Sequence, residues 1–332
     1  MKRRQILGVL GATAVAWPFA VRAQQPQQMR HIGVLIGLAP GADNPAAEGF
    51  LRAFRDEMLK AGWIEGKNIR IDYRFGGTLA DLAKTDASAA ELVALNPELI
   101  YAQGLPAARA LHQKTKTIPI VFTQVADPVG FGLADSLGHP GGNVTGFVVW
   151  DLSIGGKWMG LLRELLPDLT HVGILYNPDT TAYAPPLIAA AKAAAANVEV
   201  TECHTRNDSE IEAAIGSLRD EPHGALLVIP EPFTNAHGEQ IIAQSARLGL
   251  PALNSVVGAV DRGALISYTV VLDELIRKPV SYIDRILKGD SPSYLPVQAP
   301  TKYELAINLK TAKALGLTIP PALAAIADRV IE

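Results

Sequence analysis

The sequence predicts an α/β protein made of two Rossmann-like units, each built on a parallel sheet. Short apolar, β-branched runs of strand length recur along the chain and alternate with segments whose apolar residues repeat at helical spacing. The strand-like runs end in polar residues or in Asn, Gly and Pro, as where Ile118 to Phe122 is followed by Thr123, Gln124 and Asp127. Ligands of open parallel sheets sit beyond the carboxyl ends of the strands, so these ends face the expected cleft. The chain has 332 residues, enough for two domains of ordinary size.

The elements follow in order. His31 to Leu38 forms a first buried strand. In the loop after it, Asn44 before Pro45 fits a helix N-cap with proline at the first helical position. Ala47, Phe50, Leu51, Phe54 and Met58 repeat at helical spacing, and Gly62 ends that helix. Ile69, Ile71 and Tyr73 alternate as a second strand, and Thr78 caps a helix running to about Leu95. Leu99 to Ala102 is a third strand, whose Gln103-Gly104-Leu105-Pro106 turn opens a helix. A helix start in that position offers free backbone N–H groups to an anion. Ile118 to Phe122 is the fourth strand, and Pro140-Gly141-Gly142 leads to a fifth at Val144 to Trp150.

Trp158, Leu161, Leu162, Leu165 and Leu166 then make one helical face. The second unit repeats the alternation, with strands at Val172 to Tyr176, Val198 to Thr201, Ala225 to Ile229 and Pro251 to Leu253. Their ends carry Asn177-Pro178, Pro230-Glu231-Pro232-Phe233 and Asn254-Ser255. Ala264 to Val270 is a further strand containing Tyr268, an amphipathic helix follows to Gly289, and Tyr303 to Leu309 is the last strand. The alternation calls for parallel sheets with right-handed crossovers.

Composition narrows the function. The chain is 48% hydrophobic and 19% charged, with a net charge of −3 and no basic stripe, so no nucleic-acid partner is expected. Cys203 is the single cysteine, which excludes an internal disulfide and a cysteine-built metal site; it reads as a small buried hydrophobe. Lys2-Arg3-Arg4, an apolar Ile6 to Ala16 and Val21-Arg22-Ala23 before Gln24 have the pattern of a cleavable signal peptide over residues 1–23. Arg3-Arg4-Gln5-Ile6-Leu7 also resembles a twin-arginine signal, with Lys2 where Ser or Thr is usual. Cleavage removes four cationic residues and no acid, taking the net charge from −3 to −7. Residues 24–30 read as a flexible leader. The chain has no Gly-x-Gly-x-x-Gly after a strand, no Walker A loop, no Gly-x-Ser-x-Gly elbow and no His-Glu-x-x-His, so neither a catalytic residue, a cofactor nor a metal is expected. Glu231, between two prolines, has the chemistry of a general base but fits a loop acid or a rim contact better. Tyr176, Tyr183, Phe233 and Tyr268 are candidates for a cleft lining.

Three stretches carry a family resemblance: Thr117-Ile-Pro-Ile-Val-Phe through Asp127-Pro-Val129 to Pro140-Gly-Gly-Asn-Val-Thr-Gly146; Tyr282-Ile-Asp-Arg-Ile-Leu-Lys-Gly289 with Leu295-Pro-Val297; and Pro300 to Pro320 with Ala327-Asp-Arg-Val-Ile-Glu332. With these the chain resembles the ABC-transporter substrate-binding proteins that include bacterial tryptophan- and tyrosine-binding proteins. The resemblance implies a type I periplasmic-binding fold, with two lobes joined by hinge strands and a small ligand between them. We expect one lobe at 31–145 plus about 258–297 and the other at 146–257 plus about 298–332. Linkers are expected near Gly142 to Val148, Val257 to Gly263 and Leu295 to Pro300. The chain departs from the family's pattern at Ser267-Tyr268-Thr269, where Ser-Tyr-Gly is expected.

The expected role is that of a periplasmic monomer that captures a small carboxylate-bearing solute, an aromatic or branched amino acid being favoured, and delivers it to an ABC permease. The alternatives are a sensory binding protein that presents its ligand to a membrane receptor, and an exported α/β enzyme. The carboxylate would meet backbone N–H groups at Gln103, Gly104 and Leu105. Asp127 either pairs with an ammonium or caps the turn before Pro128. Thr123 would add a neutral hydrogen bond, and Tyr176, Phe233 and Tyr268 would close from the other lobe. Asn44, Asn177, Glu231 and Asn254 complete the candidate set.

Overall fold

The computed structural model describes residues 29–37, 45–77 and 82–332. The expected signal peptide, Asn44 and the Thr78 cap lie outside the described residues. The first sheet contains β1 (Arg30–Ile36), β2 (Ile69–Phe75), β3 (Leu99–Gln103), β4 (Ile120–Val125) and β5 (Val144–Val148), in the order β2-β1-β3-β4-β5 and parallel throughout. On one face lies α1 (Pro45–Lys60), whose Phe50 and Phe54 stack on Tyr101 of β3 at ring-centroid distances of 5.7 and 5.1 Å. On the other face lie α2 (Leu82–Ala94) and α3 (Leu105–Lys114), packing Leu92 and Leu111 against Ile100 and Phe122.

The second lobe holds α4 (Ile154–Leu165), β6 (His171–Tyr176), α5 (Ala184–Ala194), β7 (Glu199–His204), α6 (Asp208–Arg219) and β8 (Gly224–Val228). It continues with α7 (Pro232–Ala236), α8 (Gly238–Leu248), β9 (Ala252–Asn254) and β10 (Ile266–Val270). The chain then returns to the first lobe as α9 (Leu272–Arg277) and α10 (Pro279–Leu287), whose Ile276, Val280 and Ile283 join the core beside α1. It ends in the second lobe as β11 (Tyr303–Asn308), α11 (Leu309–Ala314), α12 (Pro321–Ala325) and β12 (Arg329–Ile331). The second sheet has the order β12-β11-β10-β9-β8-β6-β7. Its main core packs α4, with Trp158, Leu161 and Leu162, and α5 on one face; α6 and α8 cover the other around Leu175, Ile215 and Cys203. Cys203 is the buried small hydrophobe expected, and burial pushes its thiol pKa up to about 11.

The two-lobed α/β architecture matches expectation, and three details correct it. β11 is antiparallel to β10. The reason is where the chain enters: it leaves β10 at the carboxyl end, visits the first lobe and comes back at the same end, so its next strand must run away from the cleft. A parallel strand would need a crossover of a dozen or more residues. Residues 258–270 belong to the second lobe, because β10 satisfies its ladder bonds there, pairing in parallel with β9 and along its length with β11. β5 stays in the first lobe as far as Val148, paired with β4. The chain therefore crosses between lobes after Val148, around Val271 and between Gln298 and Tyr303. These crossings lie side by side: Val148 N–H donates to Gln298 O (2.9 Å), Gln298 N–H to Gly146 O (3.0 Å) and Val271 N–H to Lys302 O (3.2 Å). The expected linkers at Gly142 to Val148 and Val257 to Gly263 are displaced accordingly; the one at Leu295 to Pro300 overlaps a crossing.

The residues that carried the resemblance do structural work at this junction. Asn143 Nδ2 donates to Ile118 O (2.6 Å), Thr145 Oγ1 to Leu295 O (2.6 Å) and Tyr282 Oη to Pro296 O (2.7 Å). A Cβ at Gly146 would fall 2.2 Å from Phe122 O, so only glycine lets β5 lie this close to β4.

Candidate functional site

The carboxyl ends of both sheets face each other across a cavity of about 630 Å³. The first lobe supplies Gly104, Leu105 and Pro106 at the β3–α3 turn, Gln124 and Ala126 at the end of β4, and Val149 and Trp150 past β5. The second lobe supplies Ile154 and Trp158 of α4, Thr180 and Tyr183 past β6, and Glu231 with its prolines past β8. It adds Ser255 and Arg262 past β9, and Thr269 and Val270 of β10. A second cavity of about 410 Å³, lined by Leu169, His223 and Pro251, lies at the amino ends of β6, β8 and β9, the end where α/β sheets do not place ligands.

One wall is aromatic. Trp150 packs edge-on to Trp158 (6.4 Å between ring centroids) and tilted on Tyr183 (5.7 Å). Trp158 is only 1% exposed, and its Nε1–H donates to Tyr268 O (2.9 Å), which fixes the indole plane. Tyr183 donates its hydroxyl to Pro230 O (2.9 Å). Burial first, and then the nearby Glu231 charge, hold that phenol well above its ordinary pKa, so it stays neutral. The buried Trp150 Nε1–H has no acceptor among the described residues.

Facing this wall is the start of α3. Gly104, at φ +85°, is its N-cap and gives it no side-chain cap bond; Pro106 sits in the first turn. Gly104 N–H donates to Thr123 O, whereas the N–H groups of Leu105 and Ala107 find no acceptor among the described residues. Behind the turn, Gln103 accepts Gly37 N–H on Oε1 (2.8 Å) and donates from Nε2 to Gln124 Oε1 (2.7 Å). Gln124 holds φ +58° at the end of β4, a strained conformation for a residue with a side chain, of the kind found at ligand sites.

The structure brings Gly104, Leu105 and Glu231 to the cavity wall and places Gln103 one layer behind. The other candidates do different work. Thr123 is fully buried and donates to Leu275 O (2.6 Å), tying α9 to β4. Asp127 does not line the cavity; its Oδ1 accepts Gly130 N–H (2.8 Å), the turn-cap role. Tyr176 turns its hydroxyl to Glu202 (2.7 Å) and His204 on β7. Asn177 Oδ1 accepts Asp179 N–H, Phe233 packs with the α6–α8 layer, and the Tyr268 ring stacks on Tyr303. Asn254 is buried beside the small void under β9. Glu231 is 2% exposed and accepts from Phe233 N, Thr234 N, Thr180 Oγ1 and, more distantly, Asn177 N, closing a capping box on α7. A carboxylate saturated in this way is neither a base nor a loop acid.

Lining residues that the sequence did not assign to the site include Trp150, Trp158, Arg262, Gln124, Thr180 and Ser255. Trp158 has the spacing of a core helix face, and Trp150 stands two residues beyond a strand end; only the latter position was a signal. Thr269, the departure from the family pattern, does line the cavity.

The model of the family described as ABC transporter substrate binding protein matches residues 32–331. The chain belongs to that family. It is a substrate-binding protein, not an enzyme, and proteins of this family work outside the cytoplasm. A tyrosine-binding protein of Clostridioides difficile is 32% identical over 290 residues, covering 85% of this chain and 81% of its own length. A structure of a conserved domain protein from Vibrio cholerae is 29% identical with a TM-score of 0.78, covering 91% of this chain and all of the other. The ABC domain of Streptococcus pneumonia in complex with L-Trp shares the fold at 24% identity and a TM-score of 0.78, over 92% of this chain and all of the other.

Proposed function

We propose that this substrate-binding protein captures a small carboxylate-bearing solute with an aromatic or branched side chain and delivers it to an ABC permease for import. The observation that carries the reading is the pairing across one cavity of an aromatic wall, Trp150, Trp158 and Tyr183, with the uncapped start of α3. Aromatic walls bind flat apolar groups, and a helix start binds an anion through free N–H groups and a positive dipole end. The tyrosine-binding relative supports an amino-acid-type ligand. The three adjacent crossings are the hinge on which the lobes close, since a few terminal residues suffice to absorb such a change. Residues 1–23 direct export to the periplasm and are cleaved to leave Gln24 first.

Calorimetry of the periplasmic protein against a panel of aromatic and branched amino acids, aromatic acids and neutral sugars tests the reading. A carboxylate-bearing aromatic or branched solute should bind one to one, the radius of gyration should fall at saturation, and the intact mass should begin at Gln24. A neutral sugar as the sole ligand would refute it. Asp127→Ala, which removes a turn cap, should cost about 1 kcal/mol of stability, the net worth of one hydrogen bond. It should leave the affinity within about two-fold, since that factor corresponds to only a few tenths of a kcal/mol. A loss beyond about 30-fold would return Asp127 to the site as a charge partner.

A further inference from the structure

Among the described residues the cavity wall is rich in donors, and its one carboxylate is already engaged. Among its lining residues Glu231 is the only carboxylate, and its bonds to Phe233, Thr234, Thr180 and Asn177 occupy it fully. Among the described lining residues Arg262 is the only cation; its guanidinium forms no hydrogen bond or salt bridge with any described residue, and the nearby Asp261 carboxylate is paired with Arg329. The glutamine pair fixes a further donor. Gly37 N–H donates to Gln103 Oε1 (2.8 Å) as well as to Gln103 O (3.2 Å), which orients the Gln103 amide with its Nε2 toward Gln124; Gln124 Oε1 accepts that bond and keeps a second lone pair. Gln124 Nε2, which bonds to no described residue, is thereby a donor available to the cavity. The Leu105 N–H at the start of α3 completes the set.

We infer that the solute is an aromatic carboxylate without an ammonium group, held by Arg262, Gln124 Nε2 and the α3 start against the Trp150–Trp158–Tyr183 wall. This deepens the proposed function and rests on it. The two ends of an amino acid fare differently here. Its carboxylate would meet a cation and several N–H donors. Among the described residues its ammonium would meet hydroxyl and carbonyl oxygens and one carboxylate, Glu231, whose acceptor sites are already occupied by neutral donors; a charge removed from water without a hydrogen-bonded partner is costly.

The test uses molecules that differ only by the ammonium: 3-phenylpropanoate against L-phenylalanine and 3-(4-hydroxyphenyl)propanoate against L-tyrosine, with 2-phenylethylamine as the amine lacking a carboxylate, each titrated calorimetrically into the whole protein. Each propanoate should bind at least about ten-fold more tightly than its amino acid, the difference expected for an unpaired buried charge, and the amine should not bind. Arg262 lies on the surface, so Arg262→Gln should keep the wild-type melting temperature while weakening propanoate binding at least about ten-fold. An amino acid that binds as tightly as its propanoate overturns the inference and leaves the proposed function standing, as does unchanged propanoate affinity in Arg262→Gln. Binding of none of these carboxylates, nor of the branched amino acids in the calorimetric panel, would overturn both.

Discussion

Replacing Trp158 with alanine should destabilise the second lobe by about 3–5 kcal/mol, the range for truncating a large buried aromatic side chain. The indole is almost wholly buried in the main core of that lobe, touches Trp150 edge-on and donates to Tyr268 O. Its loss removes packing from both sides of α4 and strands the Tyr268 carbonyl. At roughly 2–4 °C per kcal/mol for a domain of this size, the melting temperature should fall by about 6–20 °C. Trp158→Phe keeps most of the volume and loses only the N–H bond, so it should cost about 1–3 kcal/mol, the penalty for an unsatisfied buried acceptor. Differential scanning calorimetry of the two variants separates the contributions; an alanine variant melting within about 2 °C of wild type would show that the core closes over the gap.

Glu231→Ala should be nearly as damaging, and through stability more than affinity. The carboxylate caps α7, a term of about 0.5–2 kcal/mol. It also accepts from the half-buried Thr180 hydroxyl and from the buried Asn177 N–H, and stranding a buried donor costs about 1–3 kcal/mol. We expect roughly 2–5 kcal/mol in total by denaturant titration. Because Thr180 and Pro230 to Pro232 line the cavity, that loss should loosen the second-lobe wall as well. A variant of wild-type stability that no longer binds its solute would instead make Glu231 a direct ligand contact.

Each part of the site was legible to the extent that its cause is local. The β3–α3 turn was readable because Gly104 and Pro106 have backbone requirements that neighbours cannot change, and the structure keeps them on the cavity. Asp127 was ambiguous because an aspartate before proline suits a turn cap and a cleft end equally; in this structure its Oδ1 accepts Gly130 N–H, as a turn cap does. Tyr176, Phe233 and Tyr268 stand near the right strand ends, but ring direction depends on neighbours distant in the chain: Glu202 and His204 for the first, the α6–α8 layer for the second, Tyr303 for the third. Trp158 was hidden for the converse reason. Its helical spacing announces a core residue, and it is one, yet α4 starts at the cleft and its first turns form both core and wall.

The sequence by itself determined the α/β class, the alternation of strands and helices and the polar carboxyl ends, because apolar periodicity and turn chemistry act over a few residues; the family was legible only through the resemblance carried by its motif stretches. Tertiary structure alone decided the path between lobes. β10 joined the second sheet because β9 and β11 were there to satisfy its hydrogen bonds, and β11 ran antiparallel because the chain re-entered at the cleft end. It also decided the charge balance of the cavity. Four donors, from Asn177, Thr180, Phe233 and Thr234, close on Glu231, whereas the Arg262 guanidinium forms no hydrogen bond or salt bridge with a described residue, and no local pattern encodes which of two charges will be so engaged once the chain has folded.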